Sequence, residues 1–264
     1  MTTIARDRDA ARAAPTSAAL ARSPLFAGLL GEELAEIAAA TFVHPLTPGR
    51  EVFGEGSPCS GLWLVASGQA RLVQGSSDGR QRISGFCGPG DPLNLVAALD
   101  GGNHSVAAVA AQDTTLLYIP RQHFQELRKR IPRVGENATA EICAEIRRKE
   151  ITGGVGSLKG AQERVGCVLL HLARRFGTPT PDGTRISYRL SRQDVADRAG
   201  TRGETAIRIL SSLTGQGMIR TKEQMIEIVN LEGLRESTQC DDCQFDCSVF
   251  GPSPMGRQRV AAGK

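Results

Sequence analysis

The chain has 264 residues, of which 40% are hydrophobic and 23% charged, with a formal net charge of +4. These are ordinary values for a globular protein, and no apolar stretch reaches the ~18 residues of a membrane helix. So small a positive charge permits nucleic-acid binding without arguing for it; its distribution decides. The N-terminal stretch lacks the apolar core of a signal peptide, so a cytoplasmic protein is expected, with no membrane partner. In that compartment seven cysteines point to metal or redox chemistry rather than to a disulfide framework.

In chain order, the spacing of Leu29, Leu30, Leu34, Ile37 and Ala38 predicts a helix over about Leu25 to Phe42. From Val43 to Ile119 short β-prone runs such as LWLVASG, ARLVQ and TLLYI alternate with turn signals at Pro48-Gly49, Asp78-Gly79 and Pro89-Gly90. Many short strands at close spacing indicate an antiparallel sandwich or roll. A second helical stretch, about Arg121 to Val155, carries the stripe Ile131, Val134, Ala138, Ile142 and Ile146. That stripe fits either packing on its own domain or a seam with a second copy. The sequence GGVGSLKG, residues 153–160, reads as a break and hinge. AQERVGCVLLHLARRFG is helical again, and TPTPDG after it reads as a loop.

Residues 190–220 carry the functional pattern. Ser191, with Asp194 three residues on, opens a short helix that Gly200 ends. A second helix follows from about Glu204 to Gln216, with Ala206, Ile209, Leu210 and Leu213 inward. Two short helices joined by a tight Gly-containing turn make a helix-turn-helix, and GMIRTKEQMIEIVN adds a strand-turn-strand wing. From Arg185 to Lys222 there are eight Arg or Lys against three Asp or Glu, the local excess that phosphate contacts need. Glu204 and Arg208 stand one turn apart near the start of the second helix. Arg can bond guanine and Glu can accept from cytosine in the major groove, although the same pair could be a solvated ion pair. Arg192, Arg202, Thr205 and Ile207 are the further DNA-binding candidates.

Together with VFGEG at 52–56, LWLVASGQARL at 62–72 and GPGD at 88–91, the stretch LSRQDVADRAGTRGETAIRIL at 190–210 resembles the Crp/Fnr family of bacterial transcription regulators. The resemblance covers about Leu25 to Glu236. It implies an α+β chain: an antiparallel β-roll of the cyclic-nucleotide-binding kind, a long dimerisation helix and a C-terminal winged helix-turn-helix. Its divisions are a disordered tail (1–22), the roll (23–125), the dimerisation helix and hinge (126–156), the winged domain (157–236) and a cysteine-containing tail (237–264). It implies a homodimer on palindromic double-stranded DNA, with RNA polymerase as a further partner and no enzymatic activity. Glu204 and Arg208 match the family's base-reading pair, which implies a TGA-like half-site core. Gly203 stands where many members have Arg, and Ile207 where Fnr-like proteins often have Ser; Ile207 could contact a thymine methyl.

Cyclic-nucleotide members hold their ligand with a Gly-Glu-Leu turn and an Arg-Ser pair. Here Asn94-Leu95-Val96 and His104-Ser105 stand in those places, so the cationic phosphate arm is missing and no cyclic nucleotide is expected. The tail CDDCQFDC offers another sensor. Cys240, Cys243 and Cys247 have spacing that lets sulfurs converge on one centre. A smaller group of Fnr-like proteins carries three cluster cysteines after the winged helix, so the resemblance implies a [4Fe–4S] cluster responding to oxygen or nitric oxide. Structural zinc, and a thiol–disulfide switch without metal, remain open. A fourth ligand is not legible: Cys143 and Cys167 are weak candidates, Cys59 and Cys87 lie in the β-roll, and an Asp or Glu, including Asp241, Asp242 or Asp246, could also serve. Each of the four histidines, His44, His104, His123 and His171, reads as a surface or ordinarily bonded residue. An iron–sulfur electron carrier or redox enzyme with an incidental winged helix is the rival class. It lacks support from a second cysteine cluster or a nucleotide-binding glycine fingerprint.

Overall fold

The run GLWLVAS is apolar almost without alternation, as a strand reads when both its faces are covered. In the computed structural model, which describes residues 16–75, 81–240 and 247–250, this run is β3 (Gly61–Ser67). It lies in a four-stranded antiparallel sheet between β8 (Thr114–Pro120) and β6 (Pro92–Leu93), with β1 (Phe42–Leu46) beyond β8. A second antiparallel sheet runs β2 (Glu51–Phe53), β7 (Ala107–Ala110), β4 (Ala70–Gly75), β5 (Gln81–Cys87). Val65, Leu93 and Leu116 of the first sheet pack with Phe53, Ala70, Cys87 and Ala108 of the second. Leu62, Leu64, Ala66, Leu117 and Ile119 face the other way, into a helical layer. The expected roll is therefore present, with β3 buried from both sides.

The helical layer comprises residues 16–20 (α1), α2 (Gly31–Ala39), α3 (Leu95–Asp100), α4 (Arg121–Arg130) and the start of α5 (Pro132–Leu158). The chain divides into two units that meet in sequence at Ala144–Glu145, within α5.

Several local expectations are corrected. Residues 16–22 do not belong to a disordered tail, because Ala19 and Leu20 are buried in the first unit's core; residues 1–15 lie outside the described residues. The stretch Leu25 to Phe42 is not one helix: Pro24–Phe26 is a 3-10 turn, α2 follows, and Phe42 opens β1. The helix expected over 121–155 is two helices, α4 and α5. They part at Ile131, which precedes Pro132 and is thereby disfavoured from helical backbone. In α5, Val134 and Ala138 belong to the first unit's core and Ile142 packs against it, whereas Ile146 is exposed. The glycines at 153, 154 and 156 do not break the helix, which runs to Leu158; the chain turns at Lys159–Gly160.

The second unit continues α5 into α6 (Ala161–Phe176), then β9 (Gly177–Thr180) and β10 (Gly183–Ile186), α7 (Arg192–Ala199) and α8 (Gly203–Gly215). β11 (Ile219–Lys222), β12 (Met225–Ile228) and α9 (Leu231–Ser237) follow. The sheet order is β11-β12-β10-β9. TPTPDG is thus a hairpin rather than a loop. Pro179 lowered its strand signal, but β9 is an edge strand, where a missing N–H is tolerated. The wing turn places Glu223 and Gln224 at φ 50° and 64°, a conformation that favours Gly or Asn. Among the described residues, no helix is long and apolar enough to cross a membrane.

Candidate functional site

The helix-turn-helix is built from local chemistry. The Ser191 hydroxyl accepts from the Asp194 amide at 3.0 Å, and the Asp194 carboxylate accepts from the Ser191 amide at 2.8 Å, satisfying orphan N–H groups at both ends of the first turn of α7. Gly200 ends α7 at φ 61°. Val195, Ala196 and Ala199 of α7 are buried with Ala206, Leu210 and Leu213 of α8, while Ile209 stays partly exposed. This packing turns the opposite face of α8 outward. Glu204, Ile207 and Arg208 are exposed, Thr205 partly so, and Arg202 at the helix start and Arg192 on α7 are exposed too. Among the described residues, Glu204 and Arg208 form no ion pair with each other. By contrast Arg220, on the wing, donates to Asp182 at 2.9 Å and Glu227 at 3.3 Å.

One residue that the sequence pattern missed sets the turn. Arg164, on α6, donates from Nε to the Ala199 carbonyl at 2.8 Å and from a terminal nitrogen to Gly200 at 3.2 Å. It caps the end of α7 and fixes the turn from which α8 departs.

In the roll, the positions expected to replace the nucleotide-binding pair lie together. Asn94 adopts a left-handed backbone at φ 48°, and its side-chain nitrogen lies 3.1 Å from His104 Nδ1. The His104 ring is 2% exposed and stacks on Phe53, with centroids 3.7 Å apart and planes 9° off parallel. Burial lowers its pKa. The position that the resemblance matches to the arginine of cyclic-nucleotide members thus holds an imidazole packed against an amide and an aromatic ring. Leu95 beside it is buried.

The tail is the third element. After α9, Thr238 is fully buried and Gln239 takes φ 49°, turning the chain so that the Cys240 amide bonds the Arg235 carbonyl at 2.9 Å. Lys159, at the α5–α6 corner, donates to the carbonyls of Thr238 at 2.7 Å and Gln239 at 3.3 Å. Gly166 lets α9 approach α6, since a Cβ there would collide with Thr238 Cγ2. Residues 241–246, including Cys243, lie outside the described residues. The chain is described again as a 3-10 turn, Cys247–Phe250. Phe250 and Cys247 pack with Ile151, Val155 and Cys167. Phe250 stacks on His171 of α6, centroids 3.9 Å apart and 8° off parallel, and Cys247 Sγ lies 3.3 Å from His171 Nε2. His171 keeps some solvent exposure. The protein packed around its ring, then the nearby Arg198 and Arg174 charges, lowers its pKa to about 3. It therefore presents a neutral imidazole.

The structure thus brings Cys247 beside His171, which the sequence left as an ordinary histidine, and into the same apolar cluster as Cys167. Cys143 is exposed on α5, within the first unit. Cys59 donates to the Gly61 carbonyl at 3.3 Å, with its pKa raised chiefly by burial, and Cys87 is buried in the roll. Among the described residues, no three His, Cys, Asp or Glu side chains stand at metal-holding distance. His171 and Cys247 are the two potential donors that the described residues bring within 3.3 Å here. Their separation suits two ligands of one tetrahedral ion: zinc bonds of about 2.3 Å to sulfur and 2.0–2.1 Å to nitrogen set them about 3.5 Å apart. A cubane takes each ligand on a different iron, so the pair would have to separate to hold one. With that movement, the apolar contacts of Ile151, Val155 and Phe250 beside Cys247 are compatible with a thiolate-held cluster.

A family model of the cyclic nucleotide-binding domain matches residues 43–131, and one of the Crp-like helix-turn-helix domain matches residues 163–237. The chain is similar to the cyclic AMP receptor protein of Thermus thermophilus, 33% identical over 81% of this chain and 96% of that protein. It is similar to the nitrogen fixation regulation protein FixK of Azorhizobium caulinodans, 34% identical over 64% of this chain and 67% of that one. Among solved structures, FixK2 from Bradyrhizobium japonicum matches with a TM-score of 0.68 and 28% identity, covering 74% of this chain and 96% of that chain. Roll, long helix and winged helix-turn-helix follow one another in the order these relatives share, and the chain belongs to the Crp/Fnr family of DNA-binding transcription regulators.

Proposed function

We propose that this regulator is a homodimer whose affinity for a palindromic site is set by a [4Fe–4S] cluster held by Cys240, Cys243 and Cys247. The observation that carries the reading is the seating of the tail on α6. Cys247 and Phe250 lie against His171, while Lys159 holds the carbonyls just before Cys240. When bound, such a cluster supplies a tie that oxygen or nitric oxide destroys.

The chain's own part is to relay that tie to DNA. α6 carries Arg164, which grips the turn before α8, and one and two turns later Cys167 and His171, which meet the tail. A seated tail steadies α6 and with it the turn. A released tail removes that restraint, so that two α8 helices are no longer held ~34 Å apart, as successive half-sites require. A few kcal/mol of difference between the two arrangements is enough to switch occupancy. On DNA, Glu204 and Arg208 read a TGA-like core, Ile207 and Thr205 touch neighbouring groups, and Arg192 and Arg202 hold phosphates. RNA polymerase is the expected partner at promoters. Cyclic nucleotides are not the signal in this reading, because His104 is neutral and closed in by Asn94 and Phe53.

Replacing Cys243 by Ser tests the coupling. Anaerobic affinity for the site should fall at least tenfold and lose its oxygen response; unchanged affinity and response would refute the mechanism. A second reading, structural zinc, is favoured by one observation, the 3.3 Å between His171 Nε2 and Cys247 Sγ. In that case the tail is a fixed part of the winged domain and DNA affinity is indifferent to oxygen.

A further inference from the structure

We infer that Gln193 of α7 is a further base-reading residue of the helix-turn-helix, one that selects an adenine beside the core read by Glu204 and Arg208. The inference rests on the reading of that pair as base contacts. It deepens that reading by naming a flanking position and the residue that sets it.

Gly203 is the first residue of α8, and Ile207 stands one turn after it on the outward side. The face that presents Glu204, Ile207 and Arg208 therefore carries no side chain at its leading corner. Gly203 has a helical backbone rather than a positive φ, so its conformation does not call for glycine. The space does. A Cβ at Gly203 would lie 2.8 Å from Oε1 of Gln193, too close for the two to coexist without movement. The side chain of Gln193, exposed on the first turn of α7, thus fills the place of the missing one.

Gln193 is held there. Its Nε2 donates to the Asp197 carboxylate, one turn further along α7, at 2.6 Å. That bond takes one amide proton and fixes which way the amide faces, with Oε1 toward α8. The second N–H and the carbonyl oxygen form the pair that adenine complements, N7 accepting and the N6 amino group donating. A phosphate is the poorer partner for this amide. The Asp197 charge stands one hydrogen bond away and repels a second anion, whereas a base edge is neutral. Arg192 and Arg202, next to Gln193 and Gly203 in the chain, are exposed and supply the cations for phosphates. A Gln–Asp pair that only stabilised the surface of α7 would need no glycine across the turn.

The test uses the full chain and two sets of duplexes. One carries a two-fold site with the TGA-like core fixed and the base pair on each side of it randomised; the other is random DNA. The wild type should enrich adenine, on one strand of one flanking pair, about tenfold over the other bases. Gln193→Ala should lose that preference and still prefer the core to random DNA. Gly203→Ala should do the same, because its Cβ displaces the amide. An even loss of affinity over all four flanking bases in Gln193→Ala would make the residue a phosphate contact and overturn the inference. So would a wild type indifferent to the flanking pairs, or either variant keeping the wild-type preference. A wild type that does not distinguish the core from random DNA overturns the reading of Glu204 and Arg208, and this inference with it.

Discussion

Two histidines in this protein sit in nearly the same local arrangement and have opposite chemical prospects. His104 in the roll and His171 in the winged domain each lie flat on a phenylalanine, at 3.7 Å and 3.9 Å, and burial lowers the pKa of both. The partner at the ring edge differs. His104 Nδ1 meets the Asn94 amide, a hard neutral group that closes a core. His171 Nε2 meets the Cys247 thiol, a soft group at the end of a segment with two more cysteines. Stacking fixes an imidazole in both cases, and what the free nitrogen meets decides whether it is structural or can bind. The proposed cluster places the sensing group in the second domain and leaves His104 of the roll a packed, structural imidazole.

The sharpest way to break the contrast is to restore the missing cation in the roll. His104→Arg puts a charge at a 2%-exposed position with a neutral amide for a partner. It should cost about 3–5 kcal/mol of stability in chemical denaturation. Cyclic AMP should neither rescue it nor raise the melting temperature of the wild type; a ligand-dependent rise in either would reopen the roll as a sensor. The DNA face gives the next effect. Arg208→Ala should weaken specific binding by about 1–3 kcal/mol and binding to random DNA much less. Equal losses in a competition assay would reduce Arg208 to a phosphate contact.

On the tail side, Gly166→Val forces a side chain into Thr238. It should destabilise the winged domain by about 1–3 kcal/mol and speed proteolysis after Thr238, since overpacking there lifts α9 from α6. A variant as stable and as protected as the wild type would mean that the seat is loose. The smallest effect belongs to Lys159→Met, which removes a cation from the carbonyls ending α9. About 0.3–1 kcal/mol is expected, measured as a modest fall in the midpoint of unfolding and diminished by salt.

The two regions also differ in how far they could be read from the sequence. The helix-turn-helix is legible because its determinants are local: the Ser191 cap, the Gly200 turn and the spacing of Ala206, Leu210 and Leu213 lie within 23 residues. The roll is legible through its dense turn signals and the two-sided apolar run of β3. The β9–β10 hairpin escaped because Pro179 carries no strand signal, although an edge strand accepts it. The division of α4 from α5 escaped because the apolar stripe continues across Ile131 and Pro132 without change of period. The contact of His171 with Cys247 escaped for a different reason. It is 76 residues from Cys247, and a lone histidine on an amphipathic helix has no spacing that names its partner. Arg164 is the same case, a cap supplied across 35 residues.

The measurement that bears most directly on the tail as the sensor is the visible spectrum of protein purified without oxygen, with iron, sulfide and zinc assays before and after exposure to air. A broad absorbance near ~400 nm that bleaches in air, with about four iron and four sulfide per chain, is the expected result. A colourless protein that takes up neither iron nor sulfide after anaerobic reconstitution, yet binds its DNA site equally well in air and without it, would contradict the claim.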